Sequence, residues 1–140
     1  MSENIIAALM VYLRDNATIG DLVGARVFGV ELPEAEAASM PRPCVVLKPS
    51  GGDSFAGRGT HRHETQRLDA FSYGETIFEA YKVSVAVYDA LALLTRNRTG
   101  STLIHWVNPA GGWTSNRDPD ADWPMVFQSF QAFFALEAAA

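Results

Sequence analysis

At 140 residues, with 48% hydrophobic and 19% charged side chains and a formal net charge of −5, the chain can build one core but not two. A single domain of this size buries roughly two-thirds of its unfolded surface. No run approaches the roughly 20 apolar residues of a membrane-spanning helix, the single cysteine excludes an internal disulfide, and the acidic balance argues against an autonomous nucleic-acid binder.

The first stretch, residues 2–15, has the spacing of an amphipathic helix. Ser2 can cap it, Glu3 suits its first turn, and Ile5, Ile6, Leu9, Tyr12 and Leu13 recur on one face. Glu3 also stands where a secretion signal carries a positive charge, so cytosolic synthesis is expected. Ile19, Leu22 and Val23 make a single helical turn that Gly24 can close, and Arg26-Val27-Phe28 has the composition of a short strand. Residues 29–42, with Pro33, Pro41 and an EAEAA centre, read as a surface connection containing one helical turn. The β-branched run Cys44-Val45-Val46-Leu47, fenced by Pro43 and Pro49, predicts a strand with Cys44 as a small core residue.

Residues 50–63 carry four glycines between Gly51 and Gly59, a composition that no packed element tolerates, and predict a long arm between two strands. Residues 64–73 return to strand alternation: Arg67, Asp69, Phe71 and Tyr73 share one face, and Leu68, Ala70 and Ser72 the other. For Glu75–Leu94 the alternation of Tyr81, Val83, Val85 and Val87 fits a strand, while Ile77, Tyr81, Val85 and Tyr88 fit a helix. Length decides for the helix, because twenty residues without glycine or proline exceed an ordinary strand. Val85 is expected on its buried face. A polar break at 95–100, a strand at 101–108, a Gly- and Asp-rich loop at 109–124 and a closing strand at 125–136 follow. In that last strand Phe127 and Phe133 lie on one face, and Phe130, Phe134 and Leu136 on the other, so both faces need cover. One is expected to meet the helices and the other a neighbouring subunit. The sum is an α+β domain, residues 1–140: a mixed, mainly antiparallel sheet of about four to five strands packed on two helices, with a long β-arm.

Charge is unevenly distributed along the chain. Residues 1–40 hold six acids against two bases, whereas residues 41–68 hold Arg42, Lys48, Arg58, Arg62 and Arg67 against Asp53 and Glu64. In a ring of identical copies, that asymmetry lets the acidic patch of one meet the basic patch of the next.

Chemistry-bearing patterns are sparse. His61, His63 and Glu64 are metal-ligand types, but adjacent ligands without a distant partner do not form a closed zinc site, so no metal is expected. Asp118, Asp120 and Asp122 mimic the start of a calcium loop, yet Trp123 and Ser129 stand where that loop wants glycine and glutamate. The arm glycines match neither nucleotide fingerprint, and no Gly-x-Ser-x-Gly elbow occurs. A small metal- or ligand-binding α/β enzyme domain built on His61, His63 and the acidic loop therefore lacks a recognisable constellation. Neither catalytic residues nor a cofactor is expected.

The order of elements carries more information than any motif. A helix, the turn IGDLVGARVF, the strand PCVVLKPSGG, a glycine-rich arm, the strand-turn-helix RLDAFSYGETIFEAYKVSVAVYDAL and the closing RDPDADWPMVFQSFQAFF together resemble the tail-completion or tail-terminator proteins of long-tailed bacteriophages, over residues 3 to 136. The resemblance implies a non-enzymatic virion protein of the tail and neck, a hexameric ring that caps the head-proximal end of the tail tube, ends its polymerisation and joins it to the head. Its implied partners are other copies of itself, the tail tube protein and a head-side connector or stopper, with DNA passing through the lumen without sequence-specific binding and no membrane contact. A head-completion or connector ring on the head side of the neck is the alternative within the same class. Phe55, Arg58, His61 and Arg62 are the expected arm contacts, and Trp113, Arg117 and Trp123 those of a second contact loop.

Overall fold

The computed structural model describes residues 5–51, 61–99, 102–117 and 122–137. In chain order the elements are α1 (Ile5–Arg14), α2 (Ala17–Val23), β1 (Val27–Gly29), α3 (Glu34–Ala37), β2 (Cys44–Gly51), β3 (His61–Tyr73), α4 (Ile77–Leu93), β4 (Thr95–Thr99), β5 (Thr102–Pro109), β6 (Thr114–Arg117) and β7 (Pro124–Glu137). The strands form one sheet in the order β1-β2-β3-β7-β5-β4, with β6 also paired to β7. Only β1 and β2 run parallel; every other pair is antiparallel. The α+β class, mixed and mainly antiparallel, is as expected, but the sheet has seven strands rather than four or five.

The two strands not anticipated are β4 and β6, and both have the same physical origin. Each is short and polar, TRNRT and TSNR, so neither shows the alternation by which a strand is read. They form because neighbours offer open edges. One edge of β7 pairs with β3 along its whole length, from His61↔Glu137 to Tyr73↔Met125. Its other edge is shared: β5 takes Phe130 to Leu136, and β6 takes Pro124 to Phe127. The stretch 95–99, expected as a polar break after the helix, instead leaves Leu94 in extended conformation and pairs with β5.

The β3–α4 junction is locally specified. The Thr76 side chain accepts a hydrogen bond from the Glu79 amide at 3.1 Å, and the Glu79 carboxylate accepts one from the Glu75 amide at 2.8 Å, a near relative of the capping box. Gly74 precedes it because a Cβ there would lie 2.6 Å from the Ala80 nitrogen, a backbone atom that cannot move aside. From this start α4 runs for 17 residues, as its length predicted, over β3, β5 and β7.

The face it buries is not the expected one. Ala80, Val83, Ser84, Ala86, Val87, Ala90 and Leu91 point into the core, whereas Val85 is 38% exposed, with Tyr81 and Tyr88 beside it. Small side chains let a helix approach a sheet closely, and phenolic hydroxyls keep access to water, so the alanines with Val83 and Val87 face inward and the tyrosines outward. The core beneath joins Leu9, Leu13, Ile19 and Val23 of the first two helices to Leu68, Phe130 and Phe134 of the sheet. The Tyr12 hydroxyl donates to the Ala90 carbonyl at 2.6 Å and ties α1 to α4.

On the opposite sheet face a smaller cluster gathers Cys44, Val46, Tyr73 and Met125 under Phe28, Leu32, Met40, Phe71 and Trp123. The chain between β1 and β2 folds over it, pinned by a bidentate Arg42–Glu36 pair with both contacts at 2.6 Å. Hydrogen bonding from the Arg42 guanidinium holds the Glu36 carboxyl below its ordinary pKa. Cys44 is fully buried as expected, and burial, with the nearby Glu36 charge, pushes its thiol up from 9.0 to about 12. Native protein should therefore resist thiol-specific reagents that label it promptly after unfolding, followed by absorbance with a chromogenic disulfide. The unfolded thiol loses its proton first, so this residue's contribution to stability falls as pH rises from 9.0 toward 12.

Candidate interaction surface

Two surfaces leave apolar side chains in water. The first is the outward face of α4. Tyr81, Val85 and Tyr88 form one wall of a groove of about 350 Å³, and Pro109, Gly111, Gly112 and Trp113 form the other. Trp113, 51% exposed, packs its ring on Tyr81 with centroids 4.7 Å apart. Gln128 and Ser84, both buried, complete the lining; the Gln128 amide donates to the Gly111 carbonyl at 2.6 Å and fixes the 109–113 turn against the sheet. Gly111 has φ +122°, a conformation that admits glycine, so the turn and its tryptophan are placed by this residue as much as by packing. Tyr88 in turn lies over Phe130, with ring centroids 6.2 Å apart, which connects the groove to the core.

The second surface is the sheet face turned away from the helices. Beyond the small cluster it carries Phe133 and Trp106 with ring centroids 4.7 Å apart, and a shallow pocket of about 290 Å³ lined by these two, Thr65, Asn108 and Gln131. Register explains the pairing: a bulge between Ile104 and Trp106 brings the indole opposite Phe133. Asp69 accepts hydrogen bonds from Ser129 at 2.8 Å and from Ser50 at 3.3 Å on the same face, a polar ladder across three strands. One face of β7 thus meets the helices, as its two-sided phenylalanine pattern required, and the other is covered by the small cluster near Met125 but open around Phe133.

The residues singled out in the sequence are not gathered in one place. Phe55 and Arg58 lie outside the described residues. His61 and Arg62, expected in the arm, are the first residues of β3, paired with Glu137 and Leu136; residues 50 and 51 likewise belong to β2. Trp113 lines the α4 groove. Arg117 closes β6, and its guanidinium donates to the Asp122 carbonyl at 2.8 Å with the Asp122 carboxylate 3.7 Å away. Trp123 packs edge-on to Tyr73, centroids 6.1 Å apart, within the small cluster. Phe78, Tyr81, Val85 and Tyr88 were missed as surface residues. The available signal was the series Ala80, Ala86 and Ala90 on the other side of the same helix. Among the described residues, no three His, Cys, Asp or Glu side chains converge as a metal site would require. No described helix is long and apolar enough to cross a membrane.

No protein-family model matches the chain, and no curated protein matches it. Solved structures do share its fold. One is a chain from the virion of a native gene transfer agent (GTA) particle, with a TM-score of 0.66 at 19% sequence identity over 94% of each chain.

Proposed function

We propose that this chain is a non-enzymatic structural component of a phage-like virion, and within it a tail terminator. In this reading, copies form a ring, hexameric by the sequence resemblance, that caps the head-proximal end of the tail tube, stops its growth and joins it to the head. The observation that carries the reading is the fold shared over 94% of both chains with a GTA virion chain. Two apolar surfaces on opposite sides of one small domain add support, because a subunit inside an assembly must bury area against more than one neighbour. The free edge strand, TRNRT, carries Arg96 and Arg98, and edge cations discourage uncontrolled strand pairing by copies waiting to assemble. The arm around Phe55 and Arg58, with His61 and Arg62 at its root, is proposed to reach the tube protein or the head-side connector, and the 109–124 segment with Trp113, Arg117 and Trp123 a neighbouring subunit.

Electron microscopy of particles assembled without this chain tests the assignment. Overlong or unattached tails are the expected result. Unplugged, empty heads beside tails of normal length would assign the protein to the head side of the neck instead. Particles of normal length and infectivity would remove both readings.

A further inference from the structure

The outward face of α4 is near-palindromic in chemistry. About the midpoint between Val85 and Ala86, Lys82 and Asp89 are equidistant, and so are Phe78 and Leu93. At 3.6 residues per turn, Phe78, Lys82, Val85 and Asp89 fall on one side of the exposed arc, with Tyr81 and Tyr88 on the other, toward Trp113. Phe78 is 83% exposed and Leu93 79%, values at which a large apolar side chain has almost no cover from its own domain. No ion pair joins Lys82 or Asp89 to any described residue, and seven positions apart they are too distant along the helix to pair with each other.

We propose that two copies of this chain associate through α4, antiparallel about a two-fold axis beside Val85. A two-fold perpendicular to an antiparallel helix pair reverses position along the axis and keeps each flank on its own side. Lys82 of one copy, about 5 Å from the axis, therefore meets Asp89 of the other, and the converse pair forms at the same time. Phe78 meets Leu93, and the Tyr81 and Tyr88 side chains of the two copies interleave, out of register, along the flank that Trp113 extends. The charges complement only in this orientation. Parallel packing in register sets Lys82 against Lys82 and Asp89 against Asp89, which gives the antiparallel arrangement its specificity. The buried patch is one helix face with a loop tryptophan, small among specific interfaces, so the dimer is of micromolar strength. It is separate from the ring: a cyclic hexamer repeats one head-to-tail contact and contains no perpendicular two-fold. The dimer is the form of the free protein, in which each copy shields the other's apolar stripe.

The test is the mass of the purified full-length chain by light scattering and sedimentation over a range of concentrations. Wild type is expected at twice the monomer mass. Lys82→Asp and Asp89→Lys should each weaken self-association by at least about tenfold, through two repulsive contacts in place of two attractive ones. The doubly exchanged variant should recover it, and an equimolar mixture of the two single variants should dimerise although neither does alone. Unfolding midpoints at low concentration control for folding, and both side chains are exposed enough to leave them unchanged. A wild type that stays monomeric to about 100 μM overturns the proposal and leaves the stripe to a different chain. A dimer or ring indifferent to both charge reversals also overturns it, while leaving the terminator reading to the particle images.

Discussion

Replacing Val87 with aspartate is expected to abolish folding, whereas the same replacement at Val85, two residues earlier, should leave the domain folded. Val87 is fully buried between α4 and the sheet, and Val85 opens onto the groove. An aspartate at 87 meets Val83, Leu91 and the sheet side chains of the main core, with no cation among those core residues to pair with. An isolated buried carboxylate costs about 4 kcal/mol or more, close to the whole stability of a domain whose total is about 5–15 kcal/mol. At 85 the carboxylate stays hydrated, so its effect on unfolding is expected to be within about 1 kcal/mol. Circular dichroism with limited proteolysis separates the two. A soluble, protease-resistant Val87→Asp protein would show that α4 does not pack as described.

Phe130→Ala is expected to lower stability by about 3–5 kcal/mol, with a matching fall in the urea midpoint and an unchanged slope. Phe130 is 1% exposed at the point of β7 where Leu68 of β3 and Pro109 of β5 pair with it from either side. Removal of the ring leaves a cavity that the sheet cannot close, since three strands fix the backbone around it, and takes away the support beneath Tyr88. The comparison is Phe133→Ala on the opposite, half-open face. There the vacated space is open to solvent, and the loss is smaller. Equal losses at the two positions would contradict the sidedness assigned to β7.

The alternation of β3 and β7 was readable because each strand separates its residues cleanly: Leu68 and Ala70 inward against Arg67 and Asp69, Phe130 and Phe134 inward against Phe127 and Phe133. The length of α4 was readable for want of any breaker. Its rotation was not. A helix that is apolar nearly all round offers two candidate stripes, and the choice between the Val85 side and the Val87 side is made by which one fits the sheet at close range. β4 and β6 were invisible for a related reason, since their hydrogen bonds are set by edges that exist only once β5 and β7 are in place. The groove was legible only in part: Trp113 stood out in its loop, but its contact with Tyr81 joins residues 32 positions apart, and the Gln128–Gly111 hydrogen bond that sets the turn is likewise tertiary.

The position of β7 bears on when the sheet can close at all. It follows every other described strand in the chain, yet it lies in the interior of the sheet, and β3, β5 and β6 all pair with it. A nascent chain that has not yet emerged through residues 124–137 holds β1, β2 and β3 as one fragment and β4 and β5 as another, each with a raw edge where β7 belongs. Closure of the sheet therefore waits for β7. A copy truncated before residue 124 is expected to expose both edges and to aggregate or be degraded.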